Sequence, residues 1–206
     1  IFNDVLLGLG GNDIYLSTRT GVFDDSSWTT PVNLGSVVNT ELDEGQAAYV
    51  EDQDFGNSLI FSSNRQNGGV DYDLFQSHRN ANGTFNMPTA IDELNSVGAE
   101  LRPTIRRDGL EIYFGASRPG GLGEMGTFDI WISRRASTFV PWNPPFLVPN
   151  INTTEDENNP SLSPDGSILY FTAYRNGGVT GLDLYSATRC SLYSAAASPT
   201  LRFTCF

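Results

Sequence analysis

The apolar residues of this chain fall in short runs that are separated by Gly, Asn and Pro. Three of these runs, LIF, IYF and LYF, lie in the segments NSLIFSSNR, LEIYFGASR and SILYFTAYR, which end at Arg65, Arg118 and Arg175. Short segments rich in Ile, Leu, Tyr and Phe and bounded by turn residues predict β-strands, and no stretch has the spacing of an amphipathic helix. The apolar positions are consecutive, not alternating, which indicates strands buried on both faces between stacked sheets.

The same elements recur in a fixed order along the chain. An aromatic residue three positions before a proline occurs at equal intervals, at Trp28, Phe85 and Trp142, and VVNT, LNS or INT follows it. A glutamate, an apolar run, a Gly-Gly pair and an Asp-led run such as DIWISRR come next. Each unit therefore predicts four short strands. Repeated four-stranded units that need a neighbour to bury their faces are typical of a β-propeller.

One unit carries the signature most completely. Residues 157–178, ENNPSLSPDGSILYFTAYRNGG, with DLYSATR after them, resemble the repeat of the TolB-like β-propellers, a WD-like family. The second unit departs from the pattern, since Glu44 is followed by Gly-Gln-Ala without the proline. The resemblance implies a propeller that serves as a binding scaffold, exported to the periplasm or secreted. Fold alone does not specify a ligand.

We predict an all-β fold, a β-propeller of four-stranded antiparallel blades with four blades in one domain. The predicted boundaries are about 1–40 plus 198–206 for blade 1, 41–96 for blade 2, 97–153 for blade 3 and 154–197 for blade 4. The C-terminal segment Pro199-Thr-Leu-Arg202 is similar to Pro103-Thr-Ile-Arg106 of a first strand, so we expect it to complete the N-terminal blade. A ring closed in this way would be a monomer. The alternative is a fragment that completes its ring as a homo-oligomer.

Composition and charge narrow the range of possible functions. The formal net charge is −12, and all twelve basic residues are Arg. The absence of Lys excludes Schiff-base and phosphate-loop lysines, and an acidic chain without a basic stripe argues against nucleic acid as a partner. No apolar run is long enough for a membrane span. Cys190 and Cys205 permit one disulfide, with two free thiols as the alternative.

Recurring charges fall at matching positions of the units. The end of a second strand lies on the same face of a propeller as the start of the first, which places Glu44 near Arg65, Glu100 near Arg118 and Glu157 near Arg175. We interpret these as structural ion pairs; the alternative is a ring of glutamates at the channel mouth that holds a cation, and no other cofactor is expected. On the opposite face, we expect Asp165 of the turn Ser-Pro-Asp-Gly to approach Arg189.

The loop between each Gly-Gly pair and the following Asp varies from unit to unit, and binding residues concentrate in such loops. Our candidate ligand-binding residues are those that project from these loops: Asp71, Tyr72, Glu124, Met125 and Phe128. The leading hypothesis is a non-enzymatic module that binds a protein or a glycan through this face. The alternatives are a carbohydrate-active hydrolase or lyase, with Glu124 and Asp71 among its carboxylates, and a self-assembling fragment.

Overall fold

The computed structural model describes residues 1–4, 8–21, 23–51, 56–124, 126–175 and 181–189 of the chain. Cys190, Cys205, Met125 and the predicted strand at 198–206 lie outside these residues. The described residues form four antiparallel sheets, and their only helical element is a short 3-10 turn at Asn67–Gly69. The predicted all-β propeller architecture with four blades is therefore confirmed, while completion of blade 1 by a C-terminal strand stays a prediction.

Each sheet is one blade, with its strands in sequence order from the first strand outward. Blade 1 contains β1 (Phe2–Asp4), β2 (Asp13–Leu16) and β3 (Val32–Asn33). Blade 2 contains β4 (Glu44–Val50), β5 (Ser58–Ser63), β6 (Asp73–His78) and β7 (Thr89–Ala90). Blade 3 contains β8 (Glu100–Ile105), β9 (Glu111–Ala116), β10 (Asp129–Arg134) and β11 (Phe146–Leu147). Blade 4 contains β12 (Glu157–Leu162), β13 (Ile168–Tyr174) and β14 (Leu182–Thr188).

The first strands β4, β8 and β12 share an irregularity in the same place. Their pairing with the second strand shifts register just after the leading glutamate, and one residue there has positive φ in each case: Gln46, Arg102 and Asn159. A β-bulge at this position bends the strand and increases its twist. The sequence repeat thus extends to a repeated backbone distortion.

The core lies between the blades. Both faces of β5 and β9 are buried along their whole length, because each faces a neighbouring sheet on either side. Ile60 and Leu74 of blade 2 pack against Phe114 and Trp131 of blade 3, and Tyr113 on the other side of β9 joins the apolar cluster shared with blade 4. Consecutive apolar positions in the second strands therefore have the stacking role that the sequence predicted.

Backbone hydrogen bonds also join successive blades. The first residue of each first strand donates its N–H to the carbonyl that precedes the Asp-led strand of the blade before it, as from Glu100 to Tyr72 at 2.7 Å and from Glu157 to Phe128 at 2.8 Å. Among the described strands, those of blade 1 and blade 4 make no contact with one another. No helix in the described part of the chain is long and apolar enough to cross a membrane.

Candidate functional site

The Asn of each VVNT, LNS or INT segment fastens the third strand of its own blade. The Asn95 side chain accepts a hydrogen bond from the Leu74 N–H at 2.7 Å and donates one to the Leu74 carbonyl at 3.1 Å. Asn39 does the same with Ile14, and Asn152 with Ile130. The Asn side chain thus supplies an acceptor for the N–H of this strand position and a second donor for its carbonyl, which also accepts a backbone bond, as from the Ile91 N–H to Leu74 at 2.9 Å. This repeated motif is explained by the fold.

The glutamates that begin β4, β8 and β12 are fully buried and are held by the hydroxyl residue four positions earlier. The Glu44 carboxylate accepts hydrogen bonds from the Thr40 N–H at 2.6 Å and from the Thr40 hydroxyl at 2.8 Å. Ser96 makes the same pair of bonds to Glu100, and Thr153 makes them to Glu157. Each glutamate thus closes the turn that leads into its strand.

The arginines after the second strands contact both these glutamates and the aromatic side chains of the blade. Arg65 lies 3.3 Å from Glu44, and Arg175 lies 3.6 Å from Glu157. The Arg65 guanidinium carbon is 4.8 Å from the ring centroid of Phe75, a cation–π distance. Arg118 stacks on Trp131 in the same way, at 5.0 Å.

Glu100 differs from the other two glutamates because no ion pair reaches it among the described residues; Arg118 instead donates to the Leu94 carbonyl at 2.9 Å. Burial raises the pKa of Glu100 to about 7, against the lowering effect of the Ser96 hydrogen bonds and the more distant Arg118. Because no cation pairs directly with the Glu100 carboxylate, the desolvation cost of its charged form is not compensated. Blade 3 is therefore electrostatically unlike its neighbours at this position.

In blades 1 and 3, the Asp that opens the third strand caps the Gly-Gly loop before it. Asp129 accepts a hydrogen bond from the Leu122 N–H at 2.8 Å, and a Cβ added to Gly121 would lie 2.3 Å from the same carboxylate oxygen. Glycine is required there because the carboxylate lies against the loop backbone. The second oxygen, Oδ1, is buried and has no hydrogen-bond partner among the described residues, as is also true of Asp13. Burial, together with the nearby Glu157 and Asp156, raises the pKa of Asp129.

A cavity with a volume of about 550 Å³ lies on this face, between blades 2 and 3. We call it the Gly-Gly cleft. Small residues open it: Gly98 and Ala99 precede Glu100, and Ser117 follows β9. The positions that correspond to these in blade 2 hold Leu42, Asp43 and Asn64, which are larger.

Those larger side chains fill the equivalent space between blades 1 and 2. Asp43 accepts hydrogen bonds from the Asn12 N–H at 2.8 Å, from the Asn12 side chain at 3.0 Å and from the Tyr72 hydroxyl at 3.3 Å. These bonds, the first of them most strongly, hold the pKa of Asp43 below its usual value, against the opposing effect of burial. In blade 4, Asp156 accepts the corresponding bond from the Phe128 N–H at 2.7 Å. Ala99 can form no such bond.

The predicted ligand-binding residues separate into two groups in this structure. Asp71 and Glu124 both line the Gly-Gly cleft, together with Arg118, Thr127 and Asp129. Tyr72 instead directs its hydroxyl to Asp43, and Phe128 is half-buried with its N–H bonded to Asp156. Met125 is not among the described residues. In the described part of the chain, no group of three or more His, Cys, Asp or Glu side chains is placed to hold a metal ion.

One prediction for the opposite face of the propeller is wrong. Asp165 does not pair with Arg189; its carboxylate accepts hydrogen bonds from the Ser163 and Ser167 hydroxyls at 2.6 and 2.8 Å. These bonds lower the pKa of Asp165 to about 2. Gly166, with φ of +72°, closes the Ser-Pro-Asp-Gly turn by donating to the Ser163 carbonyl. Asp165 is therefore a residue that stabilises its own hairpin turn.

Arg189 pairs with Glu111 of blade 3, which the sequence did not single out. Glu111 is almost fully buried and also contacts Arg134 at 2.8 Å and Arg106 at 3.6 Å. Burial raises the pKa of Glu111, but hydrogen bonds from Arg134, Arg189 and Tyr113 outweigh it and lower the pKa overall. The corresponding positions in blades 2 and 4 hold Ser58 and Ile168, so repetition gave no signal for this cluster.

The sequence matches no family model and no curated protein. The fold is similar to the structure of a putative TolB from Agrobacterium tumefaciens, with a TM-score of 0.55 and 17% identity over 90% of this chain and 56% of that one. An α-L-arabinofuranosidase from Lactobacillus brevis is similar with a TM-score of 0.47 and 12% identity, over 87% of this chain and 63% of that one. The chain thus spans less than two thirds of either protein. At these identities, the first similarity shows a propeller fold alone.

Proposed function

We propose that this chain is a non-enzymatic binding module that engages a protein or a glycan through the Gly-Gly cleft. The observation that carries the proposal is that Gly98, Ala99 and Ser117 are smaller than the residues at the corresponding positions of blade 2. The same framework is filled between blades 1 and 2, so the cleft is not a general consequence of the fold. Binding sites are commonly concave regions with a few converging polar groups.

The lining favours a particular kind of ligand group. The lining of the cleft includes three carboxylates, from Asp71, Glu124 and Asp129, and one arginine, Arg118. The whole chain is strongly acidic, at −12. An acidic cleft on an acidic protein attracts cations and raises their rate of association. We therefore favour a partner protein that presents a Lys or Arg side chain over a neutral glycan.

Isothermal titration calorimetry tests this proposal with the peptide Gly-Gly-Arg-Gly-Gly, and with maltotriose as the neutral sugar. The double substitution Ala99→Asp with Ser117→Asn restores the side-chain types found at Asp43 and Asn64. We expect the peptide to bind the native chain and to lose at least about tenfold in affinity to this variant, since its space is taken. The control is Asp25→Asn, an exposed carboxylate far from the cleft in sequence, which should leave binding unchanged. Equal binding by all three proteins, or none, would refute the proposal.

A carbohydrate-active hydrolase or lyase is the second candidate, because Asp71 and Glu124 line the same cleft and paired carboxylates serve glycoside cleavage. The buried Glu100 lies outside the lining, so it is not one of the pair. Turnover of an oligosaccharide by the native chain, abolished in Glu124→Gln, would favour the enzyme. Oligosaccharide binding without product would favour the scaffold.

Membership of the TolB-like propellers and export to the periplasm or the medium belong to the same proposal. They are supported by the repeat signature at 157–189 and, for the fold, by the similarity to the putative TolB structure. A cation at the channel mouth would need the glutamates, whose carboxylates are engaged by Thr40, Ser96 and Thr153. We therefore place no cofactor in the proposed function.

A further inference from the structure

The first strands of blades 2, 3 and 4 are edge strands of their sheets, and β8 contacts both β4 and β12. Each has its bulge residue two positions after the leading glutamate, at Gln46, Arg102 and Asn159, with φ of +54°, +56° and +54°. This backbone region is uncommon for residues other than glycine and asparagine. Arg102 is the only one of the three bulge residues that carries a charge.

The backbone of Arg102 fixes the orientation of the Gln46 side chain. The Arg102 N–H donates to Gln46 Oε1 at 3.1 Å and to the Ser62 hydroxyl at 3.2 Å. Because a backbone N–H can only donate, the oxygen of the Gln46 amide faces it, and Nε2 lies on the other side of the amide. Nε2 has no acceptor among the described residues. In blade 4 the bulge amide is engaged instead, since Asn159 Nδ2 donates to the Thr172 hydroxyl at 2.8 Å.

The guanidinium of Arg102 has no acceptor in the described part of the chain. Nine of the eleven described arginines donate from the guanidinium to a carboxylate or a carbonyl oxygen. The exceptions are Arg107, which is exposed to solvent, and Arg102, which is partly buried. Burial lowers the pKa of Arg102, and no described carboxylate opposes this effect as Glu44 does at Arg65. Charges taken out of water are normally paired, so Arg102 is an exception that needs a reason.

Scarcity of carboxylates does not explain the unpaired arginine. The chain has 24 acidic residues against 12 basic ones, and all of the acidic residues except Asp52 and Asp54 are described. None of the described carboxylates forms an ion pair with Arg102. A partly desolvated guanidinium in such an acidic chain therefore keeps its donors for an acceptor that the described chain does not supply.

We propose that Arg102 and the Gln46 amide bind the carboxylate of a small ligand at the edge formed by β4 and β8. The planar fork of guanidinium donors matches the two oxygens of a carboxylate, and Gln46 Nε2 adds a neutral donor. One cation on a chain of net charge −12 compensates one negative charge, which favours a monovalent carboxylate over a phosphate dianion. The lining of the Gly-Gly cleft contains neither residue, so this site is separate from the proposed function.

Nuclear magnetic resonance tests the proposal on the full 206-residue chain, labelled with ¹⁵N and titrated with sodium acetate at neutral pH and constant ionic strength. We expect saturable shifts of the Arg102 Nε–H signal and of the Gln46 side-chain amide signals. Acetamide has a similar shape without the charge, and it should produce no saturable shift. Inorganic phosphate should bind no more tightly than acetate. Equal shifts with acetamide, or tighter binding of phosphate, would overturn the assignment to a carboxylate.

Two substitutions at the bulge remove the charge and suit its backbone. Arg102→Gln copies the bulge residue of blade 2, and Arg102→Asn copies that of blade 4. Each should lower the affinity for acetate at least about tenfold, because the guanidinium provides the charged hydrogen bonds. Arg107→Gln is the matched control, since it removes the same charge from an exposed arginine and should bind acetate as the native chain does. An equal loss in the control would show an effect of net charge alone and would refute the site.

Thermal unfolding separates ligand binding from a purely structural role of Arg102. Acetate should raise the melting temperature of the native chain, because it binds the folded state, and should not raise that of Arg102→Asn. Without acetate, this variant should melt no lower than the native chain, since it loses an unpaired and partly buried charge. A lower melting temperature of the variant in acetate-free buffer would indicate a structural role and overturn the proposal. Absence of saturation at Arg102 and Gln46 in the native chain would overturn it without any variant.

Discussion

The junction between blades 1 and 2 and the junction between blades 2 and 3 share a backbone framework but differ in what fills it. At the first junction Asp43 collects hydrogen bonds from Asn12 and Tyr72. At the second, Ala99 occupies the corresponding position, and a cavity of about 550 Å³ remains. The difference shows that a repeated fold can leave a local cavity where one unit has a smaller side chain. Glu44 and Glu100 directly follow these two positions and also differ, because Glu44 has an ion pair with Arg65 whereas Glu100 has none among the described residues.

The largest expected effect concerns Glu100. Its folded pKa of about 7 lies above the unfolded value near 4.5, so the folded state retains a proton that the unfolded state releases. The stability from this group is present below pH 4.5 and is lost as pH rises toward 7, by roughly 3 kcal/mol. Glu100→Gln should abolish this part of the pH dependence of the urea unfolding free energy. A variant with the same slope as the native chain between pH 4.5 and 7 would contradict the assignment.

The next largest effect concerns the junction between blades 1 and 2, where Asp43 fills the space. Asp43→Ala removes the acceptor for the Asn12 N–H and for the Tyr72 hydroxyl, and we expect a loss of about 2 kcal/mol in the free energy of unfolding. Urea titration followed by circular dichroism measures it. Glu41→Ala, two positions earlier at an exposed side chain, is the control and should cost little. Similar losses in both variants would mean that Asp43 is not the organising residue of this junction.

A smaller effect tests whether the cleft tolerates leucine at position 98, since Leu42 is the corresponding residue of blade 2. A Cβ at Gly98 would lie 2.5 Å from the Ser117 carbonyl oxygen, so Gly98→Leu forces the backbone to shift. Overpacking of this kind costs about 1–3 kcal/mol, and we expect the lower part of that range because the neighbouring cleft gives room to relax. The melting temperature should fall in Gly98→Leu and stay unchanged in Val97→Leu, whose side chain is exposed.

The smallest effect concerns Tyr72, whose hydroxyl bonds Asp43 at the first junction and whose carbonyl accepts the Glu100 N–H at the second. Tyr72→Phe removes only its 3.3 Å bond to Asp43 and should cost less than about 1 kcal/mol. Burial, followed by the nearby Asp43, raises the pKa of Tyr72, and burial raises the pKa of Tyr113 to about 12. Ultraviolet titration of the native chain should therefore show a late-titrating tyrosine besides Tyr113, and this tyrosine should be absent in the variant. An unchanged titration curve would place Tyr72 outside this network.

The repeat made most of the architecture predictable from the sequence. Consecutive apolar positions in NSLIFSSNR and LEIYFGASR indicated strands buried on both sides, and the blades pack in that way. Asn39, Asn95 and Asn152 each form two hydrogen bonds to the third strand of their own blade. This role could not be predicted from the sequence, because residue spacing does not show what an amide side chain contacts.

Two features resisted prediction for physical reasons. The cluster at Glu111 joins residues of blades 3 and 4, and Glu111 itself has no counterpart in blades 2 and 4, so the contact leaves no periodic trace. The Gly-Gly cleft depends on small residues. Gly98 and Ala99 carry no reactive or charged group, so nothing in the sequence marks them as part of a site. Alignment of the residues before each glutamate, Leu42-Asp43 against Gly98-Ala99 and Glu155-Asp156, would have revealed the gap.

The central claim is that the Gly-Gly cleft, and not its filled counterpart, is the binding site. A titration of ¹⁵N-labelled protein with the peptide Gly-Gly-Arg-Gly-Gly, followed by amide chemical shifts, tests it most directly. We predict saturable shifts at Asp71, Gly121 and Asp129, with Asn12, Leu42 and Asp43 unmoved. Shifts centred on Asn12 and Asp43, or saturable shifts that spare both junctions, would contradict the claim.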